Sequence, residues 1–249
     1  MGAGVSRSVR TPSRAEQGGT VLTGIIPNPP SPPFFPNIPL ATFTQGNPNL
    51  RSEEVIAYEV GYRTTFSKTM SLDLTGFYND YRDLRGVFPG TPSFTGTNFE
   101  LPIALVNSNS VKTYGIEVAT VWQMLDWWRW DLNYSWLHTQ LTGNDRTTPV
   151  SPEQRASLRG ALSPWKNIDM DFWFRYVDAN FTIGEFGAPR IKPYVTLDLR
   201  LAWRPHKNLE LSLVGQNLLA QKHLEYIQEN QTLPTGIDRG MYGKVSWGF

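Results

Sequence analysis

Val195-Thr196-Leu197-Asp198-Leu199-Arg200-Leu201-Ala202-Trp203 decides the fold. Its odd positions are Val, Leu, Leu, Leu and Trp, and its even positions are Thr, Asp, Arg and Ala. Successive side chains of a β-strand point to opposite faces, so one face here is wholly apolar and the other carries a carboxylate and a guanidinium. A helix would set Asp198 and Arg200 at very different azimuths, and one of them would interrupt the apolar stripe. The period is two, and the segment is predicted as a strand with one oily and one watery side.

The alternation recurs outward from that stretch. Met170, Phe172, Phe174 and Tyr176 alternate with Asp171, Trp173 and Arg175, and Trp130, Leu132, Tyr134 and Trp136 alternate with Asp131, Asn133 and Ser135. Tyr114, Ile116, Val118 and Trp122 share a parity opposite Glu117. Tyr58, Val60 and Tyr62 oppose Glu59 and Arg63, and Leu72, Leu74 and Tyr78 oppose Asp73 and Asn79. Leu158 and Leu162 oppose Arg155 and Arg159, and Leu209, Leu211 and Leu213 oppose Glu210, Ser212 and Gln216. The end sets Val245, Trp247 and Phe249 against Lys244, Ser246 and Gly248. Val5 to Arg10 forms a short first strand whose Arg7 shares the parity of Val5 and Val9. These segments predict about ten strands of about 9–11 residues, the length that crosses a bilayer at a tilt.

Short and long connections alternate. Short turns fall at 65–68, 124–126, 164–167 and 205–208, and long loops at 11–52, 86–110, 142–154, 178–193 and 223–240. Trp122, Trp127, Trp128, Trp165 and Trp203 gather where strands meet the short turns, as indoles do at a membrane interface. The fold expected is all-β: an antiparallel up-and-down transmembrane β-barrel segment of about ten strands, with short periplasmic turns and long extracellular loops. The competing fold is a soluble β-sandwich or barrel, whose outward face rarely carries stripes this aromatic.

Composition agrees. Aromatic residues make up 13% of the chain, yet mean hydropathy is −0.35; this combination arises when only alternate residues face lipid. The net charge of +1 and the lack of a basic, aromatic-interleaved stretch argue against nucleic acid as a partner. With no cysteine there is no disulfide, thiolate metal site or cysteine nucleophile. His138, His206 and His223 have no metal-ligand spacing and are expected at the surface. No nucleophile elbow, P-loop or dinucleotide fingerprint follows a strand, so no catalytic residue, metal site or cofactor is expected. No apolar segment with a cleavage region precedes the first strand, and the opening Met1-Gly2-Ala3-Gly4-Val5-Ser6 fits the myristoylation pattern as well as a strand.

The polar-parity residues Glu59, Asp73, Glu117, Asp131, Arg159, Asp171, Arg175, Asp198 and Arg200 are expected to face the lumen as a network of opposite charges. Residues 11–52 form a long surface loop whose proline-rich centre, 26–36, is stiff. Phe34, Phe35, Phe181 and Phe186 are the loop aromatics expected to touch a ligand.

Several ordered motifs resemble the C-terminal barrel region of TonB-dependent outer-membrane receptors. They are SRSVRTPSRAE at 6–16, NPNLRSEEVIAYEVGYR at 47–63, LDLTGFYNDYRDL at 72–84 and NSNSVKTYGIEVATVWQ at 107–123. LRLAWRPHKNLELSLVGQNLL at 199–219 and RGMYGKVSWGF at 239–249 complete the series. The resemblance covers nearly the whole chain and implies one portion, 1–249, of a barrel of about 22 strands closed by an N-terminal plug. The plug and the N-terminal strands have no counterpart in these motifs, so the chain is expected to be a truncated receptor.

The function implied is uptake of a scarce nutrient such as an iron–siderophore complex, across the outer membrane of a Gram-negative bacterium. The partners implied are outer-membrane lipid, the missing plug and strands, and TonB through that plug only. Val245, Trp247 and Phe249 resemble the signal read by the barrel-assembly machinery, whose physical basis would be β-augmentation. The alternative is a self-contained small barrel acting as a passive pore or as an outer-membrane hydrolase.

Overall fold

Four connections are two-residue turns, and they set the architecture. Lys68-Thr69 joins β4 (Glu53–Ser67) to β5 (Met70–Pro89), and Asp126-Trp127 joins β7 (Phe99–Leu125) to β8 (Trp128–Gly143). Lys166-Asn167 joins β9 (Gln154–Trp165) to β10 (Ile168–Val177), and Lys207-Asn208 joins β13 (Tyr194–His206) to β14 (Leu209–Gln216). A tight turn forces antiparallel pairing of its flanking strands, so each pair is a hairpin. This computed structural model describes residues 1–27, 29, 38–143, 151–181, 190–219, 222–225 and 235–248.

The hairpins join β1 (Gly2–Arg10) and β17 (Gly240–Trp247) in one sheet, ordered β1-β4-β5-β7-β8-β9-β10-β13-β14-β17. All neighbours on this ten-strand path are antiparallel. The all-β, up-and-down expectation therefore holds. Among the described residues β1 and β17 are the two ends of this ten-strand path.

The register confirms the parity read from sequence. Trp122 lies opposite Trp130, Trp130 opposite Gly160, Gly160 opposite Phe172, and Phe172 opposite Leu199. One row of apolar side chains thus crosses five strands on one face. A Cβ at Gly160 would collide with the Phe172 ring, so glycine there leaves space for that ring to meet Trp130 edge-on at 5.1 Å. Nearer the long loops, Tyr58, Tyr78, Tyr114 and His138 form a second row. These apolar-face residues stay open: Leu201, Leu213 and Val245 are half or more exposed.

Three expectations need correction. First, the strands outrun 9–11 residues: β5 has 20 and β7 has 27. The expected loop 86–110 is largely ladder, because Gly86 to Pro89 pair with Val106 to Ile103 and only 90–98 remain as connection, with β6 (Ser93–Phe94) inside it. Backbone hydrogen bonding continues a hairpin past the point where side chains stop alternating, so alternation alone ends the strands too early.

Second, the first strand starts at Gly2, since its pairing with β4 begins at Gly2 opposite Gly61. Third, the span 11–52 has structure of its own: α1 (Arg14–Gly18), β2 (Thr20–Ile26) and β3 (Leu40–Gln45). β2 and β3 pair antiparallel, and β3 lies parallel to the outer part of β7, with Leu40 opposite Phe99 and Gln45 opposite Ala104. Two further two-stranded sheets, β11 (Asn180–Phe181) with β12 (Arg190–Ile191) and β15 (Lys222–His223) with β16 (Ile237–Asp238), sit within other long connections.

Candidate functional site

The polar face of the wall is the first half of the site. β9, β10, β13 and β14 each place charged residues on it, and the register lines them up. Arg159 reaches Asp171 at 3.9 Å, Asp171 accepts from Arg200 at 2.9 Å, and Arg200 also donates to Glu210 at 2.7 Å. Glu210 accepts from Arg204 at 3.2 Å, and Arg204 pairs with Asp169. Charges alternate in sign through six residues on four strands. Exposed pairs are each worth little, but a network restrains several long side chains at once.

The other expected polar-face residues fall as follows. Arg63 Nε donates to Asp73 at 2.7 Å, and Arg129 pairs with Asp131 at 2.6 Å. Arg175 donates to Asp198 at 2.8 Å while its guanidinium lies 4.4 Å above the Trp173 ring. Glu59 and Glu117 have no ion-pair partner among the described residues. Asp73, Glu117, Arg155 and Arg175 line a concavity of about 490 Å³ with Asn133 and Ser157. Its lining mixes these charged and polar groups with apolar ones, among them Val118, Ala119, Ala156 and Val177. The network was expected; Asp169, Arg204 and Glu210, which extend it, were not singled out, although their parity would have found them.

The second half is a clasp at the loop-side rim, which the sequence reading missed. Ser13 caps α1, its hydroxyl accepting from the Glu16 N–H at 3.3 Å while the Glu16 carboxylate accepts from the Ser13 N–H at 2.8 Å. This reciprocal capping box fixes where the Glu16 carboxylate points. Glu16 then accepts from Arg10 and from Arg85, each at 2.5 Å. The Ser13 backbone N–H first, then the Arg10 guanidinium, hold the Glu16 carboxyl down at about 2.

Around it, Arg10 also pairs with Glu53, and Glu53 accepts from the Arg85 N–H at 2.8 Å. The Asn47 N–H donates to the Glu16 carbonyl at 2.9 Å, and the Asn47 side chain donates to the Leu105 carbonyl at 3.0 Å. Asn107 accepts from the Arg51 N–H at 2.8 Å and donates back to the Arg51 carbonyl at 3.1 Å. Arg51 pairs with Asp83, whose φ of 53° lies in the left-handed region. Four segments far apart in sequence are stitched here. Beneath them Leu40, Ala41, Leu50, Ile103 and Leu105 form a small buried core. The signal in the sequence was the pattern Ser13-x-x-Glu16, a readable capping box.

His223 departs from the expected surface position: its side chain is 8% exposed. Its ring packs tilted against Tyr194 with centroids 4.4 Å apart, its Nε2 lies 2.9 Å from Glu225, and its Nδ1 lies 3.3 Å from the Asn217 amide. Asn217 turns the chain out of β14 with φ 55°, and its N–H donates to Asp198. Among the described residues no group of three or more His, Cys, Asp or Glu side chains gathers as a metal site. Val245 and Trp247 lie exposed on the apolar face of β17, the last strand of the path. Phe34, Phe35, Phe186 and Phe249 lie outside the described residues, as does the side chain of Phe181.

The fold recurs in solved structures. It is similar to the siderophore receptor PirA from Acinetobacter baumannii, at 16% identity and a TM-score of 0.68. It is also similar to the ferric enterobactin receptor PfeA from Pseudomonas aeruginosa, at 16% identity and a TM-score of 0.70, and to the copper transporter OprC, at 16% identity and a TM-score of 0.69. Each match covers 99% of this chain and 38% of the other, so the chain spans little more than a third of their length. No curated protein sequence matches the chain. The profile of the family described as TonB dependent receptor-like, beta-barrel, matches residues 3–218, and the chain therefore belongs to the TonB-dependent receptor β-barrel family.

Proposed function

We propose that residues 1–249 are the C-terminal part of the barrel wall of an outer-membrane receptor that takes up a scarce nutrient, such as an iron–siderophore complex. The observation that carries this reading is the register. Apolar rows cross the sheet on one face and stay exposed, while the opposite face is ion-paired. An exposed apolar face of this extent is a liability in water and the expected surface in a bilayer.

In this reading the two-residue turns face the periplasm and the long connections face outward. Glu59, Asp73, Glu117, Asp131, Arg159, Asp171, Arg175, Asp198 and Arg200 border the lumen. A plug and further strands complete the receptor of the Gram-negative outer membrane, and TonB acts through the plug. The wall carries out no catalysis; the long loops, with Phe34, Phe35, Phe181 and Phe186, supply ligand contacts. Val245, Trp247 and Phe249 serve as the assembly signal read by the barrel-assembly machinery through β-augmentation. Siderophore and ferric enterobactin receptors among the structures of the same fold support that class of cargo.

The cysteine-free chain suits a direct test, because every introduced cysteine is the sole thiol. Single cysteines at 197 to 203, in outer-membrane fractions of a Gram-negative host, should label alternately. Even positions should react with a water-soluble maleimide and odd positions only with a lipid-soluble one. Equal labelling of both parities by the water-soluble reagent would refute the wall reading. Growth on a ferric siderophore under iron limitation, through the complete receptor, tests the cargo.

A further inference from the structure

The hairpin rim carries a feature that the uptake reading leaves unused. Three of its four turns place a lysine at the first turn position: Lys68, Lys166 and Lys207. The fourth carries Asp126. All three lysines are exposed, and none has a hydrogen-bond or ion-pair partner among the described residues. The other cations near this rim, Arg63, Arg129 and Arg204, are neutralised by Asp73, Asp131, Asp169 and Glu210 on the polar face. Asp126 also has no ion pair among the described residues, so the net unpaired charge at the four turns is positive, three lysines against one aspartate.

Below each lysine-bearing turn the apolar face ends in a large exposed aromatic. Phe66 is 62% exposed, Trp165 61% and Trp203 48%. Trp247, beside the Lys207 turn through the pairing of Leu209 with Trp247, is 63% exposed. An aromatic ring at headgroup depth with a free ammonium one turn beyond it can hold the acyl shoulder and the phosphate of one lipid together. On the opposite rim Arg7 pairs with Glu54 and Arg82 with Asp80, and of the apolar-face cations there Lys112, opposite Asp80, is the one with no ion pair among the described residues.

We propose that the hairpin rim is a binding belt for anionic phospholipid, of the phosphatidylglycerol type, in the leaflet that meets these turns. The belt rests on the wall reading above. Each lysine near such a surface raises local anionic-lipid occupancy about fivefold at low salt, and the effect falls with ionic strength.

The test uses the full chain reconstituted in nanodiscs of phosphatidylcholine containing brominated phosphatidylglycerol, or the reverse labelling. Indole quenching at the rim should be several-fold stronger when the anionic lipid carries the bromine. The preference should fall toward one in the K68Q/K166Q/K207Q triple variant and in about 0.5 M salt. Equal quenching by both lipids, or a preference unchanged in the triple variant, would overturn the belt. Preference for lipid A over phosphatidylglycerol at this rim would overturn it as well. Absence of quenching by either lipid would instead refute the wall reading, so the two failures are distinguishable.

Discussion

The loop-side layer and the wall beneath it use the same side chains in opposite ways. In the layer Leu40, Leu50, Ile103 and Leu105 are buried against protein. In the wall Leu199, Leu201 and Leu213 are 42%, 50% and 53% exposed. Charges divide likewise: Glu16 is buried and held by a cap and two guanidiniums, whereas Arg63 stands 82% exposed beside its single partner. The layer satisfies its groups internally, as a water-soluble core does. The wall leaves its apolar groups for a second solvent to cover, and that solvent is what a bilayer supplies.

The comparison breaks most severely at the wall. Leu199→Arg puts an uncompensated guanidinium on the apolar face and should destabilise the inserted state by about 2–4 kcal/mol. Asn133→Arg, on the polar face, should change it by less than about 0.5 kcal/mol. Urea titration of the vesicle-inserted chain by tryptophan fluorescence measures both, and equal effects would erase the distinction between the faces.

Next comes Gly46, where a Cβ would stand 2.8 Å from the Gly18 nitrogen and 2.9 Å from the Glu16 carbonyl oxygen. These are backbone atoms and cannot swing aside. Gly46→Val should cost about 1–3 kcal/mol, confined to the layer. Hydrogen exchange should accelerate at the amides of β3 and remain unchanged in β13; acceleration in both would show that layer and wall are one cooperative unit.

Glu16→Gln should cost about 1 kcal/mol, because the partners are half-exposed arginines and such pairs are partly screened. The same carboxylate gives a pH signature. Its value is lowered from the ordinary 4.5 to about 2, so its stabilisation is complete above 4.5 and is lost as pH falls through about 2. Protease nicking within residues 11–27 should therefore rise between pH 4.5 and 2 in the native chain, and E16Q should show elevated nicking throughout with a flatter profile. A parallel rise in both would place the acid lability elsewhere. The smallest effect is expected for Arg129→Gln, which removes an exposed pair two residues apart on one strand. It should change stability by less than about 0.5 kcal/mol, and a larger shift in the urea midpoint would give that pair a weight its exposure does not suggest.

Legibility in the sequence followed the same division. β13 could be read residue by residue, because period two is a property of one strand and needs no neighbour. The nine polar-parity residues emerged from that rule alone, and the pairing of Asp171 with Arg200 and of Arg175 with Asp198 was a small further step. The clasp followed no period. Arg10, Glu16, Glu53 and Arg85 lie up to 75 residues apart, and only closure of the long connection brings them together. The outer parts of β5 and β7 were read as loop because Leu101-Pro102-Ile103-Ala104-Leu105 does not alternate. There β3 and β5 hydrogen-bond to its two edges, and one parity, Ile103 and Leu105, is buried while the other, Pro102 and Ala104, is an apolar half-exposed set that hides the alternation in the sequence. His223 was misplaced because only the fold brings Tyr194 against its ring.

By itself, the sequence determined a sheet with one oily and one watery face, its turn positions and the sign of charge along each strand. These are local properties, set by the pleat and by two-residue turns. The tertiary structure alone decided which charges meet, how far the strands run past the alternating zone, and that a capped helix and a parallel strand lock the loop-side rim. Those outcomes depend on register and on the closing of long connections, where partners distant along the chain compete and only three-dimensional packing selects among them.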